Sequence, residues 1–123
     1  MILLDTNILI YLYDNLLSES LIEKLRNSSL DSCNIIIVEV LGYKPIDEED
    51  ARYFQDLFST MNNHIFNKEV TNKVIELRKT NKIKLPDAII AATAIINDLE
   101  LWTHNIEDFK NIPSLKIFDP VSK

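Results

Sequence analysis

Short apolar runs alternate along this chain with stripes at helical spacing, and that alternation predicts an α/β fold. Ile2-Leu3-Leu4 is unbroken and short enough for a strand buried on both faces. Asp5 ends it, Thr6-Asn7 supply helix-capping chemistry, and Ile8, Leu9, Leu12 and Leu16 then recur at helical spacing, with Asp14-Asn15 marking where that helix frays. Ser20 with Glu23 has the form of a capping box for a short helix facing inward through Leu21, Ile22 and Leu25. After the turn Asn27-Ser28-Ser29, a second strand is predicted from Leu30 to Asn34. The β-branched run Ile35 to Val38 would extend it on propensity alone. Glu39 does not suit a buried strand, and Gly42 suits a helix C-cap, so a helix from Ile36 to Gly42 is preferred.

Asp47 caps the next helix, running to about Met61, with Glu48, Glu49 and Asp50 set favourably in its first turn. Its inner stripe is Ala51, Phe54, Leu57, Phe58 and Met61. Asn62-Asn63 reads as a turn and His64-Ile65-Phe66 as a brief edge strand. Asn67 begins a helix facing inward through Val70, Val74 and Leu77. Lys84-Leu85-Pro86-Asp87 opens the longest apolar pattern, Ala88 to Ile96, with Pro86 at the first helical position and Asp87 in the first turn. Ala88, Ala91, Ala92 and Ala94 let that helix lie close to a sheet. Leu101-Trp102-Thr103 follows as a buried strand, His104 to Phe109 as a polar turn or short helix, and Lys116-Ile117-Phe118 as a last strand. The whole, residues 1–123, reads as one domain with a mainly parallel sheet.

Composition narrows the functional classes. With 46% hydrophobic and 26% charged residues the chain suits a folded globular protein. Its one glycine, Gly42, excludes the glycine-rich phosphate cradles of dinucleotide and P-loop sites. Cys33 stands alone, which excludes an intramolecular disulfide and a cysteine-rich zinc site. No leader pattern and no apolar run of about 20 residues occur, so a cytoplasmic location without membrane contact is expected. The net charge of −6 argues against a general polyanion binder, but it is uneven. Residues 1–61 carry four basic residues against eleven acids, a net of −7, and residues 62–123 nine against eight, a net of +1. Arg78, Lys79, Lys82 and Lys84 cluster just ahead of Asp87, either as a solvated helix end or as contacts for an RNA backbone.

Three acids fall at element ends: Asp5 after the first strand, Asp87 opening a helix, and Asp108 after a later strand, three residues beyond Asn105. Asp5 alone reads equally as a helix cap. Glu39 is a fourth candidate, on a helical side shared with Ile35, Val38 and Gly42, where an acid is costly unless paired or metal-bound. Two carboxylates about 5 Å apart repel by roughly 3 kcal/mol at an effective dielectric near 20. A divalent cation reverses that sign, and an all-oxygen set selects Mg²⁺ or Mn²⁺. Metal-assisted phosphodiester hydrolysis follows naturally. His64 and His104 show no matched partner in the sequence, which argues against a serine or cysteine hydrolase.

Taken together, Leu3 to Asn7, Val38-Glu39-Val40-Leu41-Gly42-Tyr43, Leu85-Pro86-Asp87-Ala88-Ile89-Ile90-Ala91-Ala92 and Leu101 to Phe109 resemble the PIN domain, and more narrowly the VapC-type toxins of bacterial toxin–antitoxin pairs. The resemblance implies a three-layer α/β/α fold, a Mg²⁺- or Mn²⁺-dependent endoribonuclease leaving 3′-hydroxyl and 5′-phosphate ends, a homodimer, and a cognate antitoxin whose tail occupies the cleft. It assigns Asp5 and Asp87 as principal metal-binding acids and Glu39 as the accompanying glutamate. Thr6 and Asn7 would orient Asp5. Many relatives carry an acid where Asn105 stands, so Asn105 or Asp108 completes the site. Two rivals remain: a PIN-like scaffold without catalysis, and a phosphotransferase forming an aspartyl-phosphate on Asp5, which Asn7 disfavours because related phosphatases place an acid there.

Overall fold

A computed structural model describes residues 1–43 and 45–121. Its strands are β1 (Ile2–Leu4), β2 (Leu30–Cys33), β3 (Asn62–His64), β4 (Glu100–Trp102) and β5 (Lys116–Phe118). Its helices are α1 (Thr6–Tyr13), α2 (Glu19–Arg26), α3 (Asn34–Leu41), α4 (Glu48–Ser59), α5 (Lys68–Thr80), α6 (Leu85–Ile96) and α7 (Ile106–Phe109). The strands form one sheet in the order β3-β2-β1-β4-β5, with every neighbouring pair parallel. A parallel sheet needs both faces covered, and the helices cover them in a three-layer α/β/α arrangement. Accordingly all three residues of β1 are buried.

The order of the strands positions the site. The chain moves from β1 outward through β2 and β3, then returns to the far side of β1 for β4 and β5. The direction of winding therefore reverses between β1 and β4, and such a reversal opens a crevice at the carboxyl ends of the strands. Asp5 leaves β1 and Thr103 leaves β4 at that crevice. Helix α6 carries the connection back and is buried continuously from Ala88 to Ala94. Its alanines permit the close approach, and Thr93 returns its hydroxyl to Ile89 O at 2.8 Å, so no polar group is stranded there.

Four local expectations are corrected. Helix α2 is capped by Ser18, whose Oγ accepts from the Leu21 N–H, and Ser20 lies inside the first turn. Buried Leu17 just before Ser18 fixes where the chain enters. Asn62 and Asn63 are strand, not turn, because β2 offers them a parallel edge, while the Asn62 amide bonds Ser29 beside β2 and the Asn63 amide bonds Phe58 O. Ile65 and Phe66 lie beyond the strand and are exposed. Pro86 is the second helical residue, since Lys84 is the cap and Leu85 the first. Helix α3 buries Ile36 and Val40, while Val38 is 62% exposed and Glu39 faces outward with it. The helix starts at Asn34, and its inner stripe is the Ile36–Val40 pair, so Glu39 bears no burial cost. Gly42 does follow α3 as its C-cap, but at φ −85 it uses no left-handed conformation. Glycine is required there because a Cβ would stand 2.5 Å from Val38 O.

Candidate active site

Both oxygens of Asp5 are held. Its Oδ1 accepts from the Thr6 N–H at 2.8 Å and its Oδ2 from the Thr103 hydroxyl at 2.8 Å. The Asp5 N–H donates to Trp102 O at 3.0 Å, which extends the β1–β4 ladder by one residue and locks the backbone behind the carboxylate. Asp5 is thus both the cap of α1 and a wall of the crevice. The Thr6 hydroxyl donates to Glu39 Oε1 at 2.7 Å and so ties α3 to the start of α1. Asp87 enters from the first turn of α6. On the opposite side, Asn105 Nδ2 donates to Asp108 Oδ2 at 2.6 Å. A carboxylate only accepts, so the amide nitrogen must face it, and Asn105 keeps its carbonyl oxygen as an acceptor.

These residues line one cleft of about 310 Å³. Asp5, Glu39, Asp87, Asn105 and Asp108 supply the donor groups, and Thr6, Asn7, Lys84 and Pro86 complete the wall. Every acid singled out in the sequence therefore reaches the same space. Asn7 lines the cleft, whereas the bonds that orient Asp5 come from Thr6 and Thr103. Thr103 is the residue that sequence reasoning missed. It is fully buried, donates to Asp5, and accepts from the Asn105 N–H at 3.0 Å, so one hydroxyl couples the two walls. Its position after β4 mirrors that of Asp5 after β1, and that symmetry was the available signal.

The electrostatics show how crowded the acids are. Burial raises the Asp5 carboxyl above its ordinary range, against the pull of the Thr103 and Thr6 hydrogen bonds, and the charges of Glu39 and Asp108 add to the rise. Asp87 is pushed up to about 6 by burial and then by Asp108, Asp5 and Glu39, with only Lys84 opposing. Burial leads both shifts and the neighbouring carboxylates add to it, which makes this acid-lined cleft a candidate functional site. Among the described residues, no group of three or more His, Cys, Asp or Glu side chains is placed so as to hold a metal ion. An open, all-oxygen cleft of this kind fits Mg²⁺ or Mn²⁺, since Mg²⁺ keeps several waters and takes few carboxylates. Asp5 and Asp87, with Glu39 and Asp108 beside them, are the side chains that would hold it.

The basic cluster divides. Arg78, Lys82 and Lys84 line a second cavity of about 400 Å³ that also touches Asp87 and Asp108. Lys79 sits exposed in the last turn of α5 and lines neither space. Both histidines have partners that the sequence did not reveal. His64 Nε2 lies 2.6 Å from Oδ2 of buried Asp31, and His104 Nδ1 lies 3.0 Å from Asp119. Neither pair reaches the acid cleft.

A parallel sheet with an acid-lined crevice at its winding reversal places the protein among the α/β proteins that bind ligands at such a crevice. A family model described as the PIN domain matches residues 2–115. The chain belongs to the PIN domain family. It is similar to a chain of a toxin–antitoxin complex from Klebsiella pneumoniae, with 32% identity, a TM-score of 0.79, and 98% of each chain covered. It is also similar to a chain of VapBC-1 from nontypeable Haemophilus influenzae, with 27% identity, a TM-score of 0.82, and coverage of 99% of this chain and 100% of that one. A third likeness is to VapBC2 from Rickettsia felis bound to a promoter DNA fragment, at 27% identity and a TM-score of 0.80, covering 96% of this chain and 98% of the other. No significant match was found among curated protein sequences.

Proposed function

We propose that this protein is a Mg²⁺- or Mn²⁺-dependent endoribonuclease, the toxin of a toxin–antitoxin pair. The observation that carries the reading is the convergence of Asp5, Glu39, Asp87 and Asp108, from separate elements, on one cleft, where burial and then the other three acids raise the titration of Asp87. Four acids without a cation would only destabilise the fold. When bound, the cation supplies charge neutralisation, activation of an attacking water and stabilisation of the leaving oxygen. The chain's own groups do the rest. Asp5 and Asp87 bind, with Asp5 fixed in one rotamer by Thr6 and Thr103. Glu39, steadied by the Thr6 hydroxyl, and Asp108, steadied by Asn105, border the position of the scissile phosphate. The resemblance to PIN nucleases implies that the 3′-oxygen is the leaving group, giving 3′-hydroxyl and 5′-phosphate ends.

The relatives from Klebsiella, Haemophilus and Rickettsia are toxin–antitoxin or VapBC complexes, which supports a cognate antitoxin as partner. An apolar groove of about 370 Å³ beside the cleft, lined by Ile10, Tyr13, Tyr43 and Phe54 among others, suits a segment of that partner. Exposed Val38 and Phe66, which border another groove, suit the interface of a homodimer. No helix among the described residues is long and apolar enough to cross a membrane.

Purified protein incubated with structured RNAs and Mg²⁺ or Mn²⁺, beside an Asp5→Asn control, tests the reading. Cleavage is expected from the native protein alone. Equal cleavage by both would refute the mechanism, and no cleavage by either would favour the scaffold reading.

A further inference from the structure

The acid cleft repels the very polymer it is proposed to cut, so the substrate's remaining phosphates need a separate place to rest. The cavity beside it has the right chemistry. Arg78 closes α5, Lys82 lies in the connection, and Lys84 caps α6, so three cations within seven residues turn toward one space of about 400 Å³. Among the described residues none of the three is in a salt bridge, whereas Arg26, Lys73, Lys110 and Lys116 each pair with an acid. The two spaces share Lys84, Asp87 and Asp108 in their walls, and are therefore adjacent.

We propose that this basic cavity is a backbone subsite for single-stranded RNA. The strand passes from the acid cleft over Lys84 and into the cavity, where Arg78 and Lys82 neutralise the phosphates flanking the scissile bond. This deepens the nuclease reading and rests on it. Lys84, at the shared wall, faces the phosphate nearest Asp87. Arg78 brings a planar fork suited to two phosphate oxygens, and Lys82 a mobile point charge. A cavity of this size admits one backbone and not a duplex, which is the form in which RNA sequence is most open to proteins. Lys79, adjacent in sequence to Arg78, takes no part.

The test is the salt dependence of binding to a labelled single-stranded oligouridylate, measured by anisotropy with EDTA present so that nothing is cut. Each phosphate neutralised on a single strand contributes a slope of about −0.7 in log K against log salt, so three cations give about −2. Arg78→Ala with Lys82→Ala should reduce the slope to about −0.7 and weaken binding about tenfold near physiological salt, with the two proteins converging near 1 M. Both side chains are exposed, and an unchanged melting temperature checks the fold. Arg78→Lys with Lys82→Arg should restore the slope, and Lys79→Ala should leave it alone. An unchanged slope in the double variant, an equal loss from Lys79→Ala, or no binding by the native protein would overturn the subsite. Binding with the expected slopes but no cleavage under Mg²⁺ or Mn²⁺ would keep the subsite and sink the nuclease; cleavage with unaltered slopes would do the reverse.

Discussion

Replacing Asp87 by Asn should make the protein more stable and inactive at once. The carboxyl titrates at about 6 against an ordinary 3.8, because burial and three neighbouring carboxylates oppose its charge. At about 1.4 kcal/mol per pH unit that interval corresponds to about 3 kcal/mol. Asp87 is only partly buried, and screening by solvent and salt reduces the gain to about 1–2 kcal/mol. For a domain of this length that is a rise of roughly 3–8 °C in melting temperature. The sign depends on pH in a defined way. The folded protein holds this proton more tightly than the unfolded chain does, so the native state loses stability as pH rises from 3.8 through about 6. The advantage of Asp87→Asn is therefore absent below about pH 4, grows between 4 and 6, and is constant above. Thermal melts in EDTA across that range, at low ionic strength, provide the assay. An Asp87→Asn protein no more stable than the native one at neutral pH would refute the reasoning, as would a gain that does not change with pH.

Three further outcomes follow from the same geometry. Thr103→Val keeps the shape but removes the hydroxyl from Asp5, and should lower RNA cleavage about 10- to 100-fold while raising the Mg²⁺ needed for half activity; an unaltered Mg²⁺ titration would contradict the role given to that bond. Mg²⁺ should raise the melting temperature of the native protein, and far less that of Asp5→Asn, because binding stabilises only a state that binds; calorimetry with and without the ion decides this. His64→Ala leaves the Asp31 carboxylate, whose Oδ1 already has no hydrogen-bond partner, buried without its remaining one. The cost should be about 1–3 kcal/mol in urea denaturation, with cleavage unaffected per folded molecule.

The layered architecture was legible because its signals are local and strong. Ile2-Leu3-Leu4 can be little else than a central strand, and the capping residues Asp47 and Asn67 sit where the helices α4 and α5 begin. The acids of the site were legible for a related reason: a carboxylate at the end of an apolar element is conspicuous. What escaped were features decided by pairing across the chain. Asn62 and Asn63 have turn chemistry, and only the free edge of β2 makes them a strand. Asp31 and His64 lie on neighbouring strands, and their contact follows from a register in which Cys33 stands opposite His64. Thr103 looks like any strand residue until β4 lies against β1. Glu39 was singled out by burial and by the family resemblance; the burial argument does not hold, since it stands in the open, held at the cleft by the Thr6 hydroxyl.

The hydrogen bond from Thr103 to Asp5 also bears on how the cleft is completed. Asp5 and Thr103 stand 98 residues apart in the chain, and Asn105 and Asp108 on the same wall lie beyond Thr103. Until β4 inserts beside β1, the central strand lacks a neighbour on one side and the first carboxylate has only its own helix to hold it. The cleft is therefore complete only where the two directions of winding meet, and a chain in which β4 has not docked holds Asp5 through Thr6 alone.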